Sequence, residues 1–459
     1  MASLKRPGTP HFRRDPVVRT GRAQAHYYRE LGTALWSMRG QIPYAWNLLT
    51  HSACDCYALE SYDLRGRMFD HVHLCMKRIR ALKLNTMPAL DPSALREVAQ
   101  LSKVTPSKLA SLGRLARPMI RRRGERGFVT IDWGEAFNTV CKSIRDTAPY
   151  RMAFCAGTQG LTNEVYYVFQ KLARALGTNN VNLCARKVAA TGVDSLKETL
   201  GVAAPSCSLA DLIGTELLMI FGTDLSDEFP LTARYLRRAK KAGAQIIAVN
   251  PGKVRHWSPS VARNSLFATN LVDEFFQISA GGEIAFINGV LKELVESKRI
   301  EQEFIDQHTA GFRAFKAALA RQSWNSLGEL SGVPRGQMQR CADLLSQARS
   351  AGILFGRGFT QGGCGIDNVK AIVNLALSRA MFGRPRSGIV PIDNQSDTQG
   401  AGDCGSVADK FPGGLPVNDD TARRFSNLWH HPVPSTPGLN AAQIIDSAHK
   451  GAISFLYSI

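Results

Sequence analysis

Apolar runs that are each followed by a polar loop and a helical segment constrain the fold more than any other feature of this chain. The run ELLMIF at 216–221 leads through GTDLSDEFP and the basic segment TARYLRRAKKAG to a second apolar run, QIIAV at 245–249. A similar run, AGILFG at 351–356, leads through RGFTQGG to the segment DNVKAIVNLALSRAMFG. Short strands that alternate with helices are typical of a parallel sheet. The sequence therefore predicts an α/β fold built from βαβ units.

A further helix is predicted at 165–177, where the sequence reads VYYVFQKLARALG. Its apolar residues recur at the spacing of one helix face, and a glycine follows as the expected end of the helix. The apolar residues are Val165, Val168, Phe169, Leu172 and Leu176, and the glycine is Gly177.

The composition is that of a soluble globular protein. Hydrophobic residues make up 44% and charged residues 21% of the 459 residues, a length that suggests about two to four domains. No apolar run reaches the ~18–20 residues that span a bilayer. The basic start of the chain is not followed by an apolar segment, so we expect no signal peptide. Ten cysteines without secretory targeting indicate reduced thiols or metal ligands in the cytoplasm.

The net charge of +19 is concentrated in the first 130 residues, which contain 23 Lys and Arg against 9 Asp and Glu. The densest basic cluster is RPMIRRRGERG at 117–127. Such a face can bind nucleic acid, an anionic membrane or an acidic partner, or it can surround a polyanionic cofactor. No helix-turn-helix, zinc-finger or RNA-binding signature accompanies it, so nucleic-acid binding rests on charge alone.

The stretch HSACDCYALESYDLRGRMFDHVHLC at 51–75 holds three cysteines and three histidines. A zinc ribbon needs paired C-x-x-C knuckles, whereas Cys54 and Cys56 are separated by one residue. An iron–sulfur cluster is a second reading, with three of its four ligands supplied by Cys54, Cys56 and Cys75 and the fourth by His51, His71 or His73. The third reading is that these are free cysteines packed as small apolar residues. The spacing alone leaves these readings open.

The loops that follow the predicted strands are rich in Gly, Thr, Asn, Asp and Gln. In open parallel sheets, ligands bind at the edge formed by the carboxyl ends of the strands. Small residues in the loops at this edge let backbone N–H groups approach a phosphate. None of the loops is a G-x-G-x-x-G or a G-x-x-x-x-G-K-[ST] motif, so an ordinary dinucleotide or P-loop site is not supported. Each loop alone is explained by turn chemistry, but several together favour a nucleotide-like ligand.

Seven motifs in order give the chain a family resemblance. It resembles the molybdopterin oxidoreductases, and within them the formate dehydrogenase alpha-subunit-like (YdeP-like) branch, from about residue 40 to the last residue. The motifs are HLCMK at 73–77, RPMIRRR, IDWGEAF at 131–137, GLTNEVYYVFQKLARALGTNNVNLCAR at 160–186, GFTQGG with NVKAIVNLAL, IDNQSDTQG at 392–400, and AHKGAISFLYSI.

The resemblance implies a division into domains. A basic extension is expected at 1–40 and an iron–sulfur-type N-terminal domain at 41–126. Two interleaved Rossmann-like αβα domains are expected to follow, one discontinuous at 127–183 and 349–459 and the other inserted at 184–348. The family has a further C-terminal β-barrel-like domain that holds the cofactor. We expect the chain to stop before it, so that either a second polypeptide supplies that domain or the gene has lost it.

The cofactors implied by the resemblance are a bis-(molybdopterin guanine dinucleotide) with molybdenum and a [4Fe-4S] cluster. Cys54 and Cys75 fall where the family has cluster thiolates, and the family's second thiolate falls on Tyr57, one position after Cys56. Lys77 matches the family's lysine between cluster and pterin on the electron path. These matches predict Cys54, Cys56 and Cys75 as metal ligands and Lys77 as a catalytic residue.

The resemblance also places the cofactor-binding residues in the polar loops. The expected contacts are Gly177, Thr178, Asn179, Asn180, Gly222, Thr223, Asp224, Asn250, Pro251, Gly282, Glu283, Gly358, Thr360, Gln361 and Gln399.

Two positions depart from the family's catalytic pattern. The family's molybdenum-ligating cysteine or selenocysteine and the histidine after it fall on Val188 and Ala189, which neither ligate a metal nor transfer a proton. The family's active-site arginine falls on Asp393, whereas Gln395 is retained as a predicted catalytic residue.

Three hypotheses about function follow. The first is a molybdopterin-dependent oxidoreductase of the formate dehydrogenase-like type, with electron transfer from the molybdenum-pterin site to the [4Fe-4S] cluster. The second is a catalytically degenerate or partner-completed relative that acts as a scaffold or electron-transfer subunit. The third is nucleic-acid binding through the basic N-terminal region.

Overall fold

The computed structural model describes residues 32–51, 82–158, 161–183, 195–202, 204–223, 230–252, 271–360, 364–392 and 398–459. The strands are β1 (Met119–Ile120), β2 (Val129–Thr130), β3 (Met152–Ala156), β4 (Val181–Leu183), β5 (Leu217–Phe221), β6 (Gln245–Asn250), β7 (Glu274–Gln277), β8 (Ala351–Phe355), β9 (Gly388–Pro391), β10 (Lys410–Phe411), β11 (Leu415–Pro416) and β12 (Phe455–Ser458).

The helices are α1 (Ile42–His51), α2 (Val98–Leu101), α3 (Pro106–Ala110), α4 (Trp133–Arg145), α5 (Asn163–Ala175), α6 (Pro230–Lys241), α7 (Glu283–Glu296), α8 (Gln302–His308), α9 (Phe312–Arg321), α10 (Trp324–Ser331), α11 (Arg335–Gln347), α12 (Arg357–Thr360), α13 (Gly365–Ser378), α14 (Thr398–Asp403), α15 (Asp419–Trp429) and α16 (Ala441–His449). None of the helices in these segments is long and apolar enough to cross a membrane.

The larger sheet has five parallel strands in the order β7–β6–β5–β8–β9. Every residue of β5 and of β8 is buried. Parallel strands are buried on both faces by their crossover helices, so they read as continuous apolar runs in the sequence. The three apolar runs at 216–221, 245–249 and 351–356 therefore form strands as predicted, and the α/β fold class is confirmed.

Helices cover both faces of this sheet. Because successive side chains of a strand point to opposite faces, Met219 and Ile353 pack in one core cluster with helices α7, α11 and α13. Leu218, Ile220 and Leu354 pack in a second cluster, with helix α6. The burial of these apolar side chains is the main driving force for forming the sheet.

A smaller parallel sheet has the strand order β12–β3–β4. Helix α5 packs against it through a cluster that contains Phe154, Tyr166 and Phe169. The ring of Phe154 lies edge-on to that of Phe169, with 5.7 Å between centroids, and Phe169 stacks on Tyr457 of β12 at 5.8 Å. These contacts bring residues from the middle and the end of the chain into one core.

Helix α5 differs from the pattern expected of an amphipathic helix. The helix is present as predicted, and Gly177 follows its end with a left-handed φ of +86°. Of the predicted apolar face, however, Val165, Val168 and Leu172 are exposed. The buried positions are Tyr166, Phe169, Gln170, Ala173 and Arg174. Apolar spacing identified the helix but not its buried face, because that face carries an arginine and a glutamine that bond inside the protein.

The strand pairing does not follow the predicted domain division, in which residues 349–459 form one domain with residues 127–183. Strand β8 pairs with β5 in parallel register, from Leu217 opposite Ala351 to Phe221 opposite Phe355. Strand β9 adds to the outer side of β8. Residues 351–391 therefore complete the sheet of the segment predicted as inserted, rather than the sheet that contains β3. Sequence alone does not specify which of two parallel sheets a buried strand joins.

Candidate functional site at the switch point of the larger sheet

The carboxyl edge of the larger sheet has a topological switch point between β5 and β8. The chain leaves β5 towards β6 and β7 on one side, whereas β8 and β9 lie on the other side. The loops after two such strands lead in opposite directions and leave a crevice, which is where open α/β sheets bind ligands. Gly222 and Thr223 follow β5, and Gly356 and Gly358 follow β8, so four loop residues from two distant segments meet at this point.

Glycines allow the two loops to touch. Gly222 has a left-handed φ of +58°, and a Cβ on it would lie 2.3 Å from the backbone nitrogen of Phe359. A Cβ on Gly356 would lie 2.4 Å from Cβ of Thr223, and one on Gly358 would lie 2.7 Å from the carbonyl oxygen of Gly222. Any larger residue at these three positions would push the loops apart.

Two buried oxygens at this edge have unused hydrogen-bonding capacity. Thr223 is 7% exposed and Asn368 is 5% exposed. Within the described residues, the hydroxyl of Thr223 and the amide oxygen of Asn368 have no hydrogen-bond partner. The backbone near both is fixed, since the side-chain amide of Asn250 donates to the Thr223 carbonyl at 3.2 Å and that of Asn368 donates to the Phe359 carbonyl at 2.8 Å. Unpaired buried polar atoms are rare in proteins, and a polar ligand or ordered water satisfies them.

The amino end of helix α13 lies at the same edge, because the helix starts ten residues after β8. The helix is 14 residues long and begins after Cys364. Thr360, on the short helix α12 that precedes it, is buried. The free N–H groups and positive dipole at the start of such a helix favour a negatively charged group. This feature adds phosphate-binding capacity to the crevice.

The residues that follow β6 and β7 lie at the same carboxyl edge of the larger sheet. Asn250 ends β6, and the side-chain amide of Gln277 at the end of β7 donates to the Pro251 carbonyl at 3.2 Å. Gly282 precedes helix α7, and the buried Glu283 is its first residue. Among the residues that the structure describes, none lies within 4 Å of a Cβ built on the nearby Gly252 or Gly281. The predicted contacts Asn250, Pro251, Gly282 and Glu283 thus share one edge with the switch point.

The loop GTNN at 177–180 lies elsewhere. It leads into β4, at the amino edge of the smaller sheet. Asn179 donates to the carbonyls of Pro434 and Thr436 at 2.9 and 2.8 Å, and Asn180 donates to Met152 at 2.9 Å and accepts from the Leu439 amide at 2.8 Å.

The polar side chains of the GTNN loop bond within the protein. Thr178, Asn179 and Asn180 are all buried. The side chains of Asn179 and Asn180 hold the chain segment around residues 434–439 against the sheet, and the Thr178 hydroxyl accepts from the Asn180 amide. The structure therefore does not bring Gly177, Thr178, Asn179 and Asn180 together with the switch-point residues. A polar loop composition predicts bonding capacity, but it does not distinguish the two edges of a sheet.

Gln399 lies on helix α14, seven residues after Ile392, the last described residue that follows β9. The amide of Ile392 donates to the Phe355 carbonyl at 2.8 Å, so this part of the chain leaves the sheet beside β8. Gln399 is exposed and its side chain bonds to Asp403. Burial raises the pKa of Asp403, and Lys410 and the Gln399 bond oppose that rise.

Arg174 is an important residue that the sequence patterns did not single out. It is completely buried, and it donates to Asn179 Oδ1 at 3.0 Å and to the carbonyls of Gly405, Val407 and Lys410 at 2.8 to 3.0 Å. It also bonds to Gln170 and lies over the ring of Phe411 at 4.7 Å. Burial lowers its pKa to about 9, against the effect of Asp409, so it stays charged at neutral pH. Its only sequence signal is its position one turn after Gln170 on the face of Tyr166 and Ala173.

Several predicted residues lie outside the described parts of the chain. They are Cys54, Cys56, Cys75, Lys77, Asp224, Gln361 and Gln395, together with the departures Val188, Ala189 and Asp393. Within the described segments, no group of three or more His, Cys, Asp or Glu side chains is placed to hold a metal ion.

Comparison with known proteins agrees with the architecture of this site. Residues 114–459 match the family model for molybdopterin oxidoreductases, which covers both sheets and the switch point. The chain therefore belongs to the molybdopterin oxidoreductase family, and the family predicted from the motifs is confirmed.

Two of the relatives are named as formate dehydrogenases. The chain is 30% identical over 345 residues to formate dehydrogenase H of Escherichia coli, covering 74% of this chain and 46% of that protein. It is 31% identical over 348 residues to the F420-dependent formate dehydrogenase 2 subunit alpha of Methanococcus maripaludis, covering 75% of this chain and 49% of the relative. The chain thus spans about half the length of these curated relatives.

A solved structure with the same fold is acetylene hydratase from Pelobacter acetylenicus. It superposes with a TM-score of 0.52 at 15% identity, over 70% of this chain and 40% of that structure. At this level of identity the likeness concerns the fold. The glycine-mediated approach of two loops and the unpaired buried oxygens fit a polar, phosphate-bearing ligand, which is the class of cofactor that the family name describes.

Proposed function

We propose that this chain binds a bis-(molybdopterin guanine dinucleotide) cofactor along the carboxyl edge of the larger sheet, as part of a formate dehydrogenase-like oxidoreductase. The observation that carries the proposal is the contact between the Gly222–Thr223 and Gly356–Gly358 loops at the switch point, inside the region that matches the family. The bound cofactor would supply the redox chemistry, and the protein would supply binding and electrostatics.

The residues of this chain would bind different parts of such a ligand. The start of helix α13 would hold a phosphate group through free backbone N–H groups. The hydroxyl of Thr223 and the amide oxygen of Asn368 would pair with polar groups of the ligand or of its water shell. Asn250 would keep the β5 loop in place through its bond to the Thr223 carbonyl.

The electron path is proposed from the family resemblance. Cys54, Cys56 and Cys75 would ligate a [4Fe-4S] cluster, and Lys77 would lie between that cluster and the pterin. Gln395 would contact the substrate. A second polypeptide would complete the cofactor site, in line with the description of one relative as a subunit alpha. The complex is proposed to work in the cytoplasm, where its ten cysteines would stay reduced.

A second candidate function is a catalytically degenerate relative that acts as a scaffold or electron-transfer subunit. The specific observation in its favour is that Val188 and Ala189 stand where the family has a metal-ligating residue and a proton-transferring histidine. Asp393 adds a negative charge where the family has an arginine for an anionic substrate.

Metal content separates the two candidates. The chain would be purified without oxygen from a host that makes both cofactors, and molybdenum, iron and pterin would be measured per chain. About one molybdenum per chain together with iron would support the oxidoreductase. Iron without molybdenum would support the electron-transfer subunit. A folded protein with neither metal would contradict both cofactor assignments.

Replacement of Cys75 by serine is expected to remove the iron–sulfur absorbance and most of the bound iron, because a hydroxyl is a poor substitute for a cluster thiolate. The matched control is Cys141→Ser, since Cys141 is exposed on helix α4 and belongs to no predicted site. Iron would be measured by elemental analysis and by visible absorbance. Equal iron in both variants and the parent would refute Cys75 as a ligand.

A further inference from the structure

A cavity at the amino edge of the larger sheet is separate from the proposed cofactor site. Its volume is about 410 Å³, and it lies between the segment that precedes β5 and the residues 383–387 that precede β9. The strands of this sheet are four to six residues long. At about 3.3 Å per residue, the cavity lies on the order of 16 Å from the carboxyl edge. Any ligand of this cavity is therefore distinct from one at the switch point.

Two arginines line the cavity, and one of them has an unusual backbone. Arg386 has a left-handed φ of +61°, which is strained for a long side chain. Its guanidinium lies across Gly214, since a Cβ on that glycine would lie 3.2 Å from the guanidinium carbon. Strained residues that the surrounding structure holds in place are concentrated at functional sites. A glycine and a strained turn thus fix one guanidinium at the cavity wall.

The donors of this guanidinium are largely unused. Within the described residues, Arg386 makes one long hydrogen bond, from Nη1 to the Gly214 carbonyl at 3.4 Å. The second arginine, Arg384, makes an ion pair with Glu301 through one nitrogen at 3.1 Å. An arginine has five N–H donors in a planar fork that matches the oxygens of a carboxylate or phosphate. Donors of both arginines therefore remain for a ligand with two oxygens.

The other polar groups of the cavity leave its charge positive. The carboxylate of Asp211 accepts from the backbone and hydroxyl of Ser208, both at 2.8 Å. Burial and the nearby Asp211 raise the pKa of the Cys207 thiol to about 11, so the thiol is neutral at physiological pH. Arg384 shares Glu301 with Arg379, so three arginines stand against the two carboxylates of Asp211 and Glu301, and one positive charge remains. An anion is the ligand that this balance attracts.

We propose that this cavity binds a small oxyanion, a phosphate or carboxylate group, with the Arg386 guanidinium as its main contact and Arg384 as the second. Charge-assisted bonds to two exposed arginines correspond to a Kd on the order of 1 mM. The assignment does not depend on the cofactor proposal, because the two sites lie at opposite edges of the sheet.

The test is calorimetric titration of the intact chain with inorganic phosphate, and separately with malonate, at constant ionic strength. Binding of either anion is expected, and Arg386→Gln is expected to weaken it about tenfold or more. Arg386→Lys keeps the charge without the fork and is expected to give an intermediate loss. Arg384→Gln is a second variant that keeps the Arg386 turn intact and should also weaken binding.

The matched control is Arg423→Gln, which removes the same charge from an exposed position on helix α15. Its binding of phosphate and malonate should equal that of the parent. Preference for phosphate or for malonate would identify the source of the oxyanion, and either result supports the site. Absence of binding of both anions, or equal binding by the parent, Arg386→Gln and Arg384→Gln, would overturn the proposal.

Discussion

Replacement of Arg174 by methionine is expected to lower the free energy of unfolding by about 3–5 kcal/mol. Methionine fills much of the same volume but donates no hydrogen bond. The change would remove the donors that Arg174 supplies to acceptors on Asn179, Gly405, Val407 and Lys410. Removing one side of a buried polar network costs more than the network contributes net, because each remaining group is desolvated and unpaired.

Urea unfolding followed by circular dichroism would measure this loss, with Arg423→Met as the control. Arg423 is exposed on helix α15, and within the described part of the chain its ion pair is a 3.7 Å contact with Asp420, so its loss is expected to change stability by about 0.5 kcal/mol or less. Arg174→Lys should lie between the parent and the methionine variant, since it keeps the charge and loses the fork. Equal stabilities of Arg174→Met and Arg423→Met would show that the buried network contributes nothing.

Replacement of Gly222 by alanine is expected to lower the free energy of unfolding by about 2–4 kcal/mol and to reduce bound pterin sharply. The added methyl group would lie 2.3 Å from the Phe359 nitrogen and 2.6 Å from its Cβ, and backbone atoms do not move aside cheaply. The left-handed φ of +58° adds conformational strain to this steric conflict. The loops after β5 and β8 would separate, and the geometry of the switch point would be lost.

The control for this variant is Gly252→Ala, at the same edge of the sheet after β6. A Cβ on Gly252 would meet no described residue within 4 Å, so the stability of this variant should stay within about 0.5 kcal/mol of the parent. Pterin would be released with acid and measured by fluorescence after oxidation, and stability would be measured by urea unfolding. Normal stability and normal pterin content in Gly222→Ala would contradict the packing of these loops.

The proposed cofactor site was partly predictable from the sequence. Gly222, Thr223, Asn250, Gly358 and Thr360 follow apolar runs, and the carboxyl ends of parallel strands share one edge. These residues lie near one another because their strands are neighbours in the sheet, in the order β6–β5–β8. Asn368 and the start of helix α13 were missed as site features. Their role depends on where a helix end points, which no local pattern specifies.

The location of the GTNN loop could not be predicted from its composition. Its composition matches a ligand-binding loop, yet Asn179 and Asn180 bond to carbonyl and amide groups near residues 434–439. An asparagine side chain uses the same donors and acceptor to form hydrogen bonds with a ligand or with a distant backbone segment. Only the path of the chain decides which of the two is present.

The sequence by itself determined the α/β class, the strands of the larger sheet and the family. A strand that is buried on both faces must be continuously apolar, which makes it visible in the sequence. The family was predicted from motifs whose order along the chain does not depend on how the chain packs. The tertiary structure decided that β8 joins β5, that Arg174 rather than Val168 faces the core, and that Arg386 lies across Gly214. Each of these depends on contacts between residues far apart in the chain, and such contacts leave no periodic signal in the sequence.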